Sequence, residues 1–152
     1  MIGNAAMEIL LVEDSIGDVR LTLEAFREAN PSVHVCVASD GVEARAFLKR
    51  EGEHAKSPRP ELILLDLNMP KMGGRELLAF VKNDESLKQI PTIILTTSDA
   101  EVDIVECFQL QANSYLCKPV DLAAFDNLVK SIDDFWLTKS RLPQPMNRAQ
   151  NA

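Results

Sequence analysis

Apolar and polar positions along the chain alternate between two periods. Short runs with apolar centres recur at "EILLVED" (8–14), "VHVCVAS" (33–39), "ELILLDL" (61–67), "TIILTTS" (92–98) and "NSYLCKP" (113–119). Being apolar on both faces, they suit strands of a parallel sheet covered on each side. Between them, helical spacing runs over 17–29, 41–50, 73–84, 100–110 and 120–138. Val19, Leu23 and Phe26 share a face in the first of these, and Leu122, Phe125, Val129, Ile132 and Trp136 do so in the last. Asn30-Pro31 and Ile90-Pro91 punctuate helix ends. Five strand–helix units in series predict an α/β fold, a doubly wound five-stranded parallel sheet with right-handed crossovers.

The longest irregular piece inside this pattern is the polar loop "REGEHAKSPRP" (50–60). The tail "SRLPQPMNRAQNA" (140–152) has two prolines and little apolar content. We therefore expect one domain over 7–138, with 1–6 and 139–152 as flexible termini. A length of 152 residues fits one domain with a sizeable core. A net charge of −7 and no Lys/Arg cluster argue against nucleic-acid binding. No stretch reaches the length of a membrane span, and "MIGNAAMEILLVEDS" lacks the basic start of a secretory signal. Cys36, Cys107 and Cys117 are odd in number and sit in apolar segments. They read as reduced core residues of a cytoplasmic protein without metal-ligand spacing. His34 and His54 read as a strand residue and a loop residue.

Charge placement changes the picture. In open α/β sheets ligands bind at the carboxyl ends of the strands. The first strand ends in Glu13 and Asp14, the third in Asp66, the fourth in Thr96 and Thr97, and the fifth in Lys118-Pro119. A parallel sheet brings all of them to one rim. Three close carboxylates repel one another unless a cation offsets them. An all-oxygen cluster suits a hard dication, Mg²⁺ before Ca²⁺. Lys118 adds a point charge and Thr96 a hydroxyl donor, which makes the rim a receptacle for phosphate. The first strand–helix turn, "VEDSIGD", is no glycine-rich nucleotide loop. The phosphate is then expected to become covalently attached, since Asp carboxylates act as nucleophiles in aspartyl-phosphate chemistry. Taken singly, Asp14 reads equally well as a helix N-cap and Asp66 as a turn residue.

"LLVEDS", "LILLDLNMPKMGG", "PTIILTTS" and "SYLCKP" occur in this order, with 30 residues from Asp66 to Thr96 and 22 on to Lys118. Over residues 7 to 138 the chain resembles the receiver domain of two-component response regulators, the CheY-like family of flavodoxin-like (βα)5 folds. The resemblance implies that Asp66 is the phosphoacceptor. It implies that Glu13, Asp14, Asp66 and the backbone carbonyl of Asn68 hold Mg²⁺. Thr96 and Lys118 would contact the phosphoryl group, and Tyr115 would be the switch aromatic. Asn68 and Ser98 would tune self-dephosphorylation, and the Lys118–Pro119 bond would be cis. Two departures stand out. Thr97 stands where a smaller residue is common, which bears on access to the phosphate. Gly73 replaces a frequent Asp, which should loosen the start of the third helix.

The first strand–helix unit, the loop before the third strand, "LTTS" and "SIDDFWLTKSRLP" are similar to phytochrome-associated response regulators of bacteria and cyanobacteria. That similarity implies a light-sensing histidine kinase as partner. It also implies a homodimer through the fourth helix, fifth strand and last helix. Phe135 and Trp136 are adjacent on that helix and cannot both enter one core, so one is expected to face a partner or the tail. With no DNA-binding segment expected, output would be protein–protein contact or onward phosphate relay. Three rivals remain: a phosphate-independent binding module, an Asp-nucleophile phosphatase and a flavin mononucleotide binder. The phosphatase would need a second Asp where Asn68 stands, and the flavin binder a phosphate loop after the first strand.

Overall fold

The computed structural model describes residues 7–69 and 71–139. The expected flexible termini lie outside them, apart from Lys139. Five parallel strands, β1 (Met7–Val12), β2 (Val33–Ala38), β3 (Leu62–Leu65), β4 (Thr92–Thr96) and β5 (Ser114–Cys117), form one sheet in the order β2-β1-β3-β4-β5. The connecting helices are α1 (Ile16–Ala29), α2 (Gly41–Lys49), α3 (Gly74–Asn83) and α4 (Glu101–Gln109), and α5 (Leu122–Ile132) follows β5.

Alternation along the strands divides the core in two. Ile9 and Leu11, Leu62 and Leu64, and Ile93 face a cluster closed by Ala25 and Phe26 of α1 and by Phe125, Val129 and Ile132 of α5. Their neighbours Leu10, Val12, Ile63, Leu65 and Ile94 face the opposite way, onto Ala44 and Phe47 of α2, Leu77, Leu78 and Val81 of α3 and Cys107 of α4. All four residues of β3 are fully buried, as a central strand covered on both sides requires.

The strands are shorter than their apolar patterns. Each stops where its neighbour's ladder stops, and the next residue turns onto the rim. Sheet hydrogen bonding still reaches that residue: Glu13 N donates to Ala38 O at 3.0 Å, Asp66 N to Val12 O at 3.0 Å, and Lys118 N to Thr96 O at 2.7 Å. Three chemically important residues are thus pinned by the last rung of the sheet.

The last helix also departs from expectation. Regular α-helix ends at Ile132, and a wider π-type segment runs over Asp133–Lys139. Leu122, expected on the buried face, is 59% exposed. It is the first residue of α5, ahead of the turn that packs. Trp136 packs on the α1/α5 core, and Phe135 meets it edge-to-face at 5.3 Å while remaining exposed.

One glycine fixes the spacing between α3 and the end of β3. A Cβ built on Gly74 would lie 2.4 Å from Asp66 O and 2.6 Å from Leu67 Cα, both backbone atoms. Gly17 in α1 meets nothing nearer than Ser15 Oγ at 3.9 Å. Gly74→Ala should therefore cost roughly 1–3 kcal/mol or more through overpacking. Gly17→Ala should stay within about 1 kcal/mol of the parent, on the stabilising side. Urea unfolding of the two variants side by side checks the contrast.

Candidate functional site

β1 and β3 are adjacent, and β1 is where strand order reverses, so the crevice at their carboxyl ends is the place for a ligand. Glu13 and Asp14 follow β1 there, and Asp66 follows β3. Ser15, not Asp14, caps α1, its hydroxyl accepting from Asp18 N at 3.3 Å. That leaves the exposed Asp14 carboxylate available on the rim. Oxygens of Glu13, Asp14 and Asp66 lie within 4.8 Å of one another. This donor set fits a hard divalent cation.

Lys118 enters the same group from the end of β5. Its ammonium pairs with Glu13, donates to Asp18 Oδ2 at 2.9 Å, and stands 3.6 Å from Asp66 Oδ2. Its side chain is only 6% exposed, so these carboxylates rather than water neutralise it. Glu13 is as buried, and burial, the largest cause, pushes its carboxyl up to about 7. The Asp66 charge adds to the rise, and the Lys118 hydrogen bond opposes it. Burial alone would lower the Lys118 ammonium. Its hydrogen bonds to Glu13 and Asp18, with the Asp66 and Glu13 charges, carry it above its ordinary value instead. Both groups therefore hold protons more tightly, as expected where acids outnumber the one buried cation.

Thr96 is fully buried at the end of β4, and Ser98 N donates weakly to its hydroxyl at 3.5 Å. Tyr115 OH donates to Ser98 O at 2.9 Å, which ties the β5 aromatic to the loop after Thr96. Thr97 is exposed and lines a cleft of about 230 Å³ with Asp18, Lys118 and Pro119. Asn68 is exposed two residues beyond Asp66. Gly73 occupies the N-cap of α3 and offers no side-chain cap. Phe135 and Trp136 lie beyond α5, outside this group.

The expected cis bond is not found. Lys118–Pro119 is trans, and no described peptide bond is cis. X-Pro bonds favour trans by about 0.5–1 kcal/mol, and in that isomer Lys118 already reaches its carboxylate partners.

Two contributors escaped the sequence reading. Asp18 was visible only as an acid in the first turn of α1, and nothing local says that it meets Lys118. The second is a bridge: Ser98 Oγ donates to Asp103 Oδ2 at 2.5 Å, and Arg75 of α3 pairs with Asp103 and, at 2.8 Å, with Glu106. It ties the loop after β4 to α3 and α4 through residues far apart in sequence.

Residues 9–132 match the family described as the response regulator receiver domain. Response regulator Rcp1 of Synechocystis sp. is 44% identical over 140 residues, covering 92% of this chain and 95% of its own length. The crystal structure of a phosphorylated cyanobacterial phytochrome response regulator, RcpA, has a TM-score of 0.89 at 45% identity, over 92% of this chain and 100% of that one. The Mn²⁺-bound form of Rcp1 has a TM-score of 0.86 at 44% identity, over 91% and 99%.

The acid excess gives a stability prediction. Without divalent cation, Asp66→Asn should melt above the parent, because one repelling charge is gone. Mg²⁺ at a hundredfold excess over its Kd should stabilise the parent by about 2.7 kcal/mol, and the variant far less. The pH dependence follows from Glu13. A carboxyl raised from 4.5 to about 7 contributes stability below 4.5 that is lost as pH rises through 7. The metal-free parent should weaken across that window, while the Mg²⁺ effect should be larger at pH 8 than at pH 6. Thermal melts at the two pH values, with and without Mg²⁺, test both signs.

Proposed function

The chain belongs to the response regulator receiver family, and from that premise we propose that it relays a signal by accepting a phosphoryl group on Asp66 from a sensor histidine kinase. The observation that carries this reading is the buried Lys118 ammonium, held by acids of the rim and 3.6 Å from the carboxylate of Asp66.

The Asp66 carboxylate attacks phosphorus, the bond from phosphorus to the donor imidazole breaks, and the electron pair leaves with the imidazole nitrogen. Glu13, Asp14, Asp66 and the backbone carbonyl of Asn68 are the residues proposed to hold Mg²⁺. When bound, that ion offsets charge on the equatorial phosphoryl oxygens. Lys118 turns from the acids toward the new phosphoryl oxygens, and the Thr96 hydroxyl donates to another. Self-dephosphorylation returns Asp66 to a carboxylate when water attacks phosphorus and phosphate departs. We assign the tuning of that step to Asn68 and Ser98, and Thr97 lines the cleft beside Lys118.

The partner proposals rest on the relatives and on the surface. RcpA is described as a phytochrome response regulator, so the kinase we infer is a phytochrome-type light sensor. α4 exposes Val102, Val105 and Phe108, and Phe135 is exposed beyond α5. We assign this apolar face, together with β5, to a homodimer or output contact, with Tyr115 as the switch beneath it. No described helix is long and apolar enough to cross a membrane, and we place the relay in the cytoplasm. The receiver unit is taken as 7–138.

Intact mass after incubation with Mg²⁺ and acetyl phosphate tests the central step. The parent should gain one phosphate. Asp66→Asn should gain none, chelation of the metal should abolish the adduct, and Lys118→Ala should lower its yield at least about tenfold. An adduct that survives Asp66→Asn would refute the assignment. A parent that takes no phosphate from acetyl phosphate or from a panel of histidine kinases would mark a phosphate-independent binding module.

A further inference from the structure

At the opposite end of β1 a second cluster has no part in phosphotransfer. Glu8 and His34 are register partners across β1 and β2, and Cys36, two residues beyond His34, shares its face of β2. His34 Nδ1 lies 2.7 Å from Glu8 Oε2 and 3.9 Å from Cys36 Sγ, and ligand atoms of all three lie within 4.8 Å of one another. We propose that Glu8, His34 and Cys36 bind a Zn²⁺-class transition-metal ion.

The donor set carries the choice of ion. A thiolate, an imidazole and a carboxylate are poor partners for Mg²⁺ or Ca²⁺ and suit Zn²⁺. Bonds of about 2.0–2.3 Å place tetrahedral ligand atoms roughly 3.3–3.8 Å apart. The observed separations bracket that span, so small side-chain rotations admit an ion. Its entry breaks the His34–Glu8 hydrogen bond, shifts the neutral imidazole's proton from Nδ1 to Nε2 through solvent, and releases the Cys36 thiol proton to solvent.

The surroundings suit such a site. Glu61 Oε1 accepts the Glu8 backbone amide at 3.2 Å, which fixes the β1 backbone that carries Glu8. Cys36 packs against the α2/α3 core and is held in place. The His34 side chain is 58% exposed, which leaves an entry path and a fourth position for water. At about 3.3 Å per residue, Glu8 stands about 16 Å from Glu13. An ion here clips the edge strand β2 to β1 and leaves the phosphoacceptor rim free.

The purified protein, first stripped with chelator, is titrated with Co²⁺ and then with competing Zn²⁺. With Mg²⁺ in excess to occupy the rim, we expect a thiolate charge-transfer band that saturates at one equivalent of Co²⁺ and that Zn²⁺ abolishes. Cys36→Ser should lose the band, while His34→Ala and Glu8→Gln should weaken binding at least about tenfold. The band should persist in Asp66→Asn and in the Cys107→Ser/Cys117→Ser double variant. In the Asp66→Asn background, which weakens the rim, Zn²⁺ should raise the melting temperature well above the rise it gives when Cys36→Ser is added, and the cooperative melt of Cys36→Ser in chelator confirms that it is folded. Absence of the band in the parent overturns the site, as does its survival in Cys36→Ser or its loss in Asp66→Asn. Unchanged affinity in His34→Ala also overturns it, leaving His34 and Glu8 as a cross-strand hydrogen-bonded pair.

Discussion

A single buried ammonium among an excess of carboxylates governs the rim of this fold. Lys118 is nearly out of water, and its charge is met by Glu13, Asp18 and Asp66 rather than by solvent. Such a cluster is a poor way to stabilise a protein, because burying charge in an unbalanced group costs folding energy. The sheet makes it rigid all the same. The backbone amides of Glu13, Asp66 and Lys118 each complete a last rung with a neighbouring strand. Their backbones cannot move apart to relieve the repulsion of like charge. A rim so constrained answers strongly to any change in charge, and a phosphoryl group on Asp66 would add roughly −1.5 to −2 at neutral pH.

What lies beside the rim sets how such a change would spread. Thr96 sits buried at the end of β4, and the next turn is bound at two points. Tyr115 OH holds the Ser98 carbonyl, and Asp103 holds the Ser98 hydroxyl while pairing with Arg75 of α3. On the phosphoacceptor reading, a pull on Thr96 and Lys118 strains this turn, and Tyr115 and the start of α4 respond together. α4 lacks a side-chain N-cap. Its first turn therefore depends on the Asp103–Arg75 pair more than on its own sequence.

Much of this was legible in the chain. Short runs apolar on both faces suit covered strands, and their alternation with helical spacing leaves few topologies. The rim was legible because parallel strands must end on one side, so Glu13, Asp14, Asp66 and Lys118 had to converge. Strand ends were overrun because apolar pattern does not record where a neighbour's ladder stops. Asp18, Arg75 and Asp103 were hidden for another reason: each acts through a partner on a distant element. His34 and Cys36 were within reach, since a spacing of two puts side chains on one face of a strand. Glu8 was not, because its place beside His34 depends on the register between β1 and β2.

β1 carries a carboxylate near each end, and the chemistry around the two differs. Glu13 and Asp14 at its carboxyl end see oxygen donors and an ammonium, whereas Glu8 near its amino end sees imidazole and thiol. Zn²⁺ outcompetes Mg²⁺ at most protein sites, so a carboxylate rim alone gives little protection against the wrong ion. A thiolate–imidazole pair elsewhere in the fold offers Zn²⁺ a better set of donors than the rim can. If both proposed sites hold, the two ends of β1 sort ions by hardness, the soft donors at the sheet edge suiting Zn²⁺ and the carboxylate rim Mg²⁺.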